Sequence, residues 1–245
     1  MSVNLPTPAV ALAIGAHPDD VEFGCGATLA KWAAAGCEVH HLICTDGSKG
    51  SWDPTADVAA LVLTRQAEQR AAAAALGATG RCVFLGWTDG ELESGLRQRW
   101  EVAYWIRRLQ PTVVLGHDPW QRYRLHPDHR HAGLLAVEGI VAARDPHFFP
   151  EQSLPHHRPD ALLLFEADEP DHAEDVAGFG GAKLAALHAH TSQLLSTMHI
   201  DLHADPAEAD RQRHAFDQKV RDGLARHGQR DALPMAEEFK LIADL

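Results

Sequence analysis

The sequence predicts a single α/β domain, a three-layer Rossmann-like arrangement in which a mainly parallel sheet carries helices on both faces. Three observations predict it. In the first half of the chain, short β-branched or aliphatic runs alternate three times with longer Ala/Leu-rich stretches at helical spacing, which is the rhythm of βαβ units. Gly36 and Gly77 stand where two of those stretches should stop. The length of 245 residues suits one such domain without a split.

Taken in order, Val10–Ile14 reads as the first strand and Gly26–Ala35 as the helix after it. Val39–Cys44 is the second strand, followed by a polar loop over Asp46–Asp57 and a strong helix over Leu63–Leu76. Cys82–Leu85 is the third strand, Leu96–Leu109 the next helix, and Thr112–Leu115, entered through Pro111, the fourth strand. A helix follows from about Pro127 to Ala143, and Ala161–Phe165 reads as a fifth strand. This Rossmann-like core spans about residues 8–170. The remainder, about 171–245, is expected to be helical and extended, with helices over Gly178–Ala189 and Pro206–His227.

Composition excludes several classes of partner. Hydrophobic residues at 45% and charged residues at 23% describe an ordinary globular chain. A net charge of −12 argues against nucleic acid or an anionic membrane as partner. The apolar N-terminal run lacks a preceding basic region, so it reads as a buried strand and not a signal peptide. Cys25, Cys37, Cys44 and Cys82 form no CxxC pair, which suits reduced thiols and a cytoplasmic setting. A homo-oligomer is compatible with all of this.

In sheets of this kind ligands sit at the carboxyl ends of the strands. There the chain places its most unusual residues. Directly after the first strand comes Ala16-His17-Pro18-Asp19-Asp20. His17 and Asp20 offer the nitrogen and oxygen donors that zinc favours, and Asp19 is left free to act as a base; the competing reading is that the aspartates cap the next helix. After the fourth strand comes Leu125-His126-Pro127-Asp128-His129, with Pro127 suited to a first helical turn. One HxxH pair is expected about once by chance in so histidine-rich a chain, so position at the same sheet edge, not spacing, is what makes the pair informative. Three ligands, His17, Asp20 and His129, with an open fourth position describe a catalytic zinc site.

The segments AHPDDVEFGCGATLAKWAAAG (16–36), TDGSKG (45–50), RQAEQRAAAAALG (65–77), FLGWTDGEL (84–92) and HDPWQRYRLHPDHRHAG (117–133) resemble the PIG-L/LmbE-like family of zinc-dependent N-deacetylases. The resemblance runs weakly on through ALHAHTSQ (186–193). It implies one Zn²⁺ per chain held by His17, Asp20 and His129, Asp19 as general base, and His126 as the group that stabilises the oxyanion or protonates the leaving amine. Arg65 is implied to bind sugar hydroxyls or an anionic group, and Tyr123, near the second motif, to approach the substrate carbonyl. The substrate class it implies is a small N-acylated amino sugar of the N-acetylglucosamine type, with a thiol-sugar conjugate or antibiotic precursor as the alternative amide. Asp118 is grouped with Arg65 and Tyr123 on the substrate-binding side, although Asp118, Asp46 and Asp89 serve equally well as supports for ligand histidines or as turn formers. His190 reads as a surface histidine on a helix, Glu68 as the partner of Arg65, and Gly24 and Gly26 as packing residues. Outside the hydrolases, a metal-free nucleotide-binding module and a metal-dependent phosphoesterase compete, the former without the full glycine fingerprint it needs.

Overall fold

A computed structural model describes all 245 residues. The strands are β1 (Ser2–Val3), β2 (Val10–Gly15), β3 (Glu38–Thr45), β4 (Cys82–Trp87), β5 (Val113–His117), β6 (Ala161–Phe165), β7 (His172–Asp175) and β8 (Ala236–Ile242). The helices are α1 (Asp20–Ala34), α2 (Val58–Ala75), α3 (Leu96–Leu109), α4 (Pro127–Arg144), α5 (Gly180–His188) and α6 (Pro206–Gly228). One eight-stranded sheet runs β1-β7-β8-β6-β5-β2-β3-β4, parallel except where β8 pairs antiparallel with β6 and β7. The expected class is found, and the helix Leu96–Leu109 and strand Ala161–Phe165 have the expected bounds.

Two cores flank the sheet because successive residues of a strand face opposite sides. Leu12 and Ile14 of β2 join Val102, Ile106, Leu135 and Ile140 of α3 and α4 on one face. Ala11 and Ala13 join Leu29, Trp32, Ala72 and Ala186 of α1, α2 and α5 on the other. With both faces covered, the parallel strands are fully buried, which is why they read as unbroken apolar runs.

Two expectations need correction. The helix after β2 begins at Asp20, six residues earlier than its glycines suggest, and bends at Cys25, whose φ of −146° is non-helical. The bend frees backbone groups that other elements satisfy: Glu237 on β8 accepts the N–H groups of Ala27 (3.1 Å) and Thr28 (2.7 Å), while Lys183 donates to the Phe23 carbonyl (2.6 Å) and pairs with Glu237 (2.6 Å). Gly24 is required beside it, since a Cβ there would stand 2.4 Å from the Phe165 ring. Second, the sheet does not end near residue 170, because the extended segments expected of the C-terminal part join it. Strands β7 and β8, with the short β1, complete the sheet, so the last stretch of chain is part of the central layer.

Candidate metal centre

The strand order reverses at β2, which has β3 on one side and β5 on the other. At such a switch point the loops after the two central strands diverge and leave a crevice. The loop after β2 carries His17, Asp19 and Asp20. The loop after β5 leads to His126 and to His129 in the first turn of α4, where Pro127 occupies the start of the helix as its fixed φ allows. Segments more than 100 residues apart in sequence thus meet above one sheet edge.

Asp20 lies at the centre. Its Oδ1 is 3.2 Å from His129 Nε2, and its Oδ2 is 3.3 Å from His17 Nδ1 and 3.2 Å from His117 Nε2. The ring of His126 is 4.6 Å from that of His17 and 4.8 Å from that of His129, centroid to centroid. Burial works against ionising Asp20, but His129 and His117 outweigh it and hold the carboxyl well below the usual range. For His17, burial opposes charging, while hydrogen bonds to Asp128, Asp20 and Asp89 raise its pKa well above the ordinary imidazole value.

The donor set fits a divalent metal ion. One carboxylate stands among imidazole nitrogens, and His117 Nε2 is buried without a hydrogen-bond partner. The second nitrogen of His17 explains how that ring is oriented. Its Nε2 lies 3.1 Å from Asp128 and 3.2 Å from Asp89. Both carboxylates are themselves anchored, Asp128 by the N–H groups of Gly90 (2.6 Å) and Leu92 (3.3 Å), Asp89 by that of Lys49 (2.9 Å). Nδ1 is therefore the nitrogen of His17 that faces Asp20 and is available to an ion. His117 is braced likewise, its Nδ1 3.0 Å from Glu166, which Arg124 also contacts.

Asp19 is built differently from its neighbour. Its φ of 101° is left-handed, a conformation costing a non-glycine residue on the order of 1–3 kcal/mol. Two contacts hold it there. Its N–H donates to Gln69 Oε1 (3.0 Å), and Arg65 Nη2 approaches its Oδ2 at 3.4 Å. Burial raises the Asp19 pKa to about 6 against the opposing pull of Arg65. Gln69 is in turn held by buried Glu22 (2.7 Å) and His41 (3.0 Å), and His190 Nε2 is 3.3 Å from the other Glu22 oxygen.

A cavity of about 970 Å³ opens over this constellation, and His17, Asp19, Asp20, His126, His129 and Arg65 all line it. Other expectations change. Arg65 is 3% exposed and donates to the carbonyls of Pro18 (2.6 Å) and Gly47 (2.9 Å), so most of its reach is directed at the protein, around Asp19. Tyr123 is 88% exposed and Asp118 closes a turn by accepting the Trp120 N–H (2.9 Å); neither lines the cavity. Asp46 accepts from Ser48 and Asp89 and serves its loop, whereas Asp89 does support His17. Glu68 binds Thr191 and Ser192, not Arg65. His190 lies beyond the end of α5 and is fully buried, because Glu22 offers it a partner inside the fold. For His126, burial first and then the charges of His17 and His129 hold its pKa below the ordinary imidazole value.

His117 and Asp128 are the residues sequence reasoning passed over. Each carried a readable signal: His117 ends a strand at the same sheet edge, and Asp128 lies inside the second motif.

Fold and site together define an α/β protein with a candidate metal centre at the switch point of its sheet. The chain belongs to the PIG-L family: the family model described as GlcNAc-PI de-N-acetylase matches residues 12–140. It is 35% identical over 185 residues to the diacetylchitobiose deacetylase of Thermococcus kodakarensis, covering 74% of this chain and 69% of that one. A 1D-myo-inositol 2-acetamido-2-deoxy-alpha-D-glucopyranoside deacetylase of Mycolicibacterium gilvum is 31% identical, over 78% of this chain and 82% of that one. Among solved structures, the N,N′-diacetylchitobiose deacetylase of Pyrococcus horikoshii superposes with a TM-score of 0.84 at 26% identity, covering 96% of this chain and 84% of that one.

Proposed function

We propose that the protein is a metal-dependent N-deacetylase acting on a small N-acetylglucosamine-type sugar or conjugate. The observation that carries this reading is the convergence of the two HPD segments around Asp20 beside a cavity that Asp19 also lines. The named deacetylase activities of the relatives support it. A zinc ion held by His17, Asp20 and His129, with His117 beside them, would supply the Lewis acidity that polarises an amide carbonyl and acidifies water.

The chain's own groups do the rest. Hydrolysis adds water oxygen to the acetyl carbon, breaks the C–N bond and delivers a proton to nitrogen, releasing acetate and an amine. Asp19, with a pKa near 6, is ionised at neutral pH and accepts the proton of the attacking water. Arg65 and Gln69 keep its carboxylate aimed into the cavity mouth rather than letting the backbone relax. His126, packed beside His17 and His129, serves as the polar group facing the developing oxyanion and the departing nitrogen. No helix is long and apolar enough to cross a membrane.

The test is acetate release from N-acetylglucosamine and N,N′-diacetylchitobiose by the purified protein, before and after chelation and with zinc restored. Zinc-restored acetate release is the expected result. A fully zinc-loaded protein that releases no acetate from any N-acetylated amino sugar overturns the reading.

A further inference from the structure

Asp19 stands where an aspartate ordinarily does something else. It is the N-cap residue of α1, and an aspartate there normally adopts extended backbone and uses its carboxylate to accept the unpaired N–H groups of the first helical turn. Asp19 makes no such bond. Its φ of 101° and ψ of −28° turn the side chain away from the helix, and it lines the cavity instead. Helix cap and general base are thus alternative uses of one carboxylate, and the backbone at residue 19 selects between them.

That selection is made from behind, by an amide with two different ends. Gln69 Oε1 accepts the Asp19 N–H at 3.0 Å, which it can do only if its NH₂ group points the other way. There the NH₂ group meets Glu22 Oε1 at 2.7 Å and His41 Nδ1 at 3.0 Å. A carboxylate offers only acceptors. Turned over, the amide would set its oxygen against Glu22 and its NH₂ group against the Asp19 N–H, so Glu22 fixes which end of Gln69 faces Asp19.

Glu22 is itself held on both oxygens. His190 Nε2 lies 3.3 Å from one and His41 Nδ1 3.5 Å from the other. The segment after His190 is tied down in turn, because Thr191 and Ser192 donate to Glu68 on α2. Glu22, His41, Gln69 and His190 are all fully buried, so each depends on the others for its hydrogen bonds. None of the four lines the cavity or belongs to the ring of metal donors.

We infer that Glu22 is a positioning residue for the reaction: acting through Gln69, it withholds Asp19 from the N-terminus of α1 and so keeps the proton acceptor in the cavity. This rests on the deacetylase reading above, in which Asp19 takes the proton of the attacking water, and extends it to a residue remote from metal and substrate. What matters at positions 22 and 69 is one donor facing one acceptor, with an oxygen of residue 69 left for the Asp19 N–H.

The experiment combines acetate release from N,N′-diacetylchitobiose, zinc content by elemental analysis and a crystal structure of Gln69→Leu, a variant that keeps the volume of the side chain and removes its hydrogen bonds. In Gln69→Leu zinc should stay at about one ion per chain and KM within about threefold, while kcat falls by ~10², the lower end of what a general base contributes. In its crystal structure the Asp19 φ should be negative, with the carboxylate accepting the N–H of Val21 or Glu22. Gln69→Glu sets two carboxylates against each other and should lower kcat by about tenfold or more. Combining it with Glu22→Gln restores one donor facing one acceptor in the original volume, and His41, whose Nε2 has no partner, can carry its proton on Nδ1 to suit. In this double variant kcat should return to within about fivefold of the parent, which also guards against misfolding of the single ones. An unchanged kcat in Gln69→Leu, a left-handed Asp19 in its crystal structure, zinc lost in step with kcat, or a double variant no faster than Gln69→Glu alone overturns the inference while leaving the deacetylase reading intact. Absence of acetate from the zinc-loaded parent on every N-acetylated amino sugar, with Asp19 relaxed to negative φ in the Gln69→Leu crystal, overturns the deacetylase reading and keeps the positioning of Asp19 by Glu22 and Gln69.

Discussion

Two clusters of histidine and carboxylate lie within a few residues of each other and do opposite things. The first, around Asp20, has His17, His126 and His129 at the wall of a cavity, with buried His117 behind them. The second, just behind Asp19, consists of Glu22, His41, Gln69 and His190, all 0% exposed. In the second cluster both oxygens of Glu22 are taken up, one by Gln69 and one by His190, and nothing reaches a cavity. In the first, donor atoms of different residues face one another within 4.8 Å and border open space. The same residue types therefore make a site or a piece of scaffold according to whether they border a cavity or are enclosed by the fold. Asp19 joins the two, with its carboxylate in the cavity wall and its backbone N–H held by the enclosed cluster.

The comparison is broken most directly at the metal ligands. His17→Ala or His129→Ala should reduce bound zinc, read by elemental analysis, from about one ion per chain to a trace, with acetate release falling to background. Retention of a full complement of metal in both variants would remove these residues from the ligand set. Asp19→Asn leaves the ring of ligands in place, so zinc should stay bound while kcat/KM falls by ~10² to 10⁴. The parent should also lose activity as pH drops through about 6, because protonated Asp19 cannot accept a proton, and Asp19→Asn should lose that acidic limb. An acidic limb that persists in the variant assigns it to another group.

Two smaller effects sharpen the contrast. Asp128→Asn removes the charge that orients His17 without touching an ion, and zinc affinity measured by competition with a chelator should weaken about 10- to 100-fold. In the enclosed cluster, His190→Asn should leave zinc content unchanged and act on stability. Burial disfavours charging His190, but Glu22 raises its pKa above the ordinary imidazole value. A raised folded-state pKa contributes stability that is complete below the unfolded value and fades as pH rises through the folded one. Urea unfolding should accordingly show a deficit of about 3 kcal/mol below pH ~6.5 that shrinks as pH increases. A deficit that grows with pH would mean His190 is held neutral.

Much of this was legible from residues alone because the signals are local. Apolar runs bounded by glycine and proline announced β2 to β6, and Pro127 announced the start of α4. His17, Asp19 and Asp20 sit within four residues directly after a strand, and His126 and His129 share one turn, so chain geometry alone brings each group near a sheet edge. Strand β8 was not legible. Its sequence AEEFKLI carries three charges in seven residues, and its place between β6 and β7 comes from partners about 60 to 80 residues away. The aspartates were ambiguous for a related reason: Asp46, Asp89, Asp118 and Asp128 all follow strands or open helices, and only the fold shows that Asp89 and Asp128 meet His17 while Asp118 closes a turn.

By itself the sequence determined the α/β class, the two motifs and the residue types available to a metal, since these follow from periodicity, local turns and donor chemistry. Only the tertiary structure decided that the two motifs share one carboxylate, which nitrogen of His17 is free, that His190 is buried against Glu22, and that Gln69 holds the Asp19 N–H. Each of these depends on contacts between segments far apart in the chain, and such contacts leave no local pattern because their energy comes from burial and pairing that exist only once the sheet and its helices have closed around them.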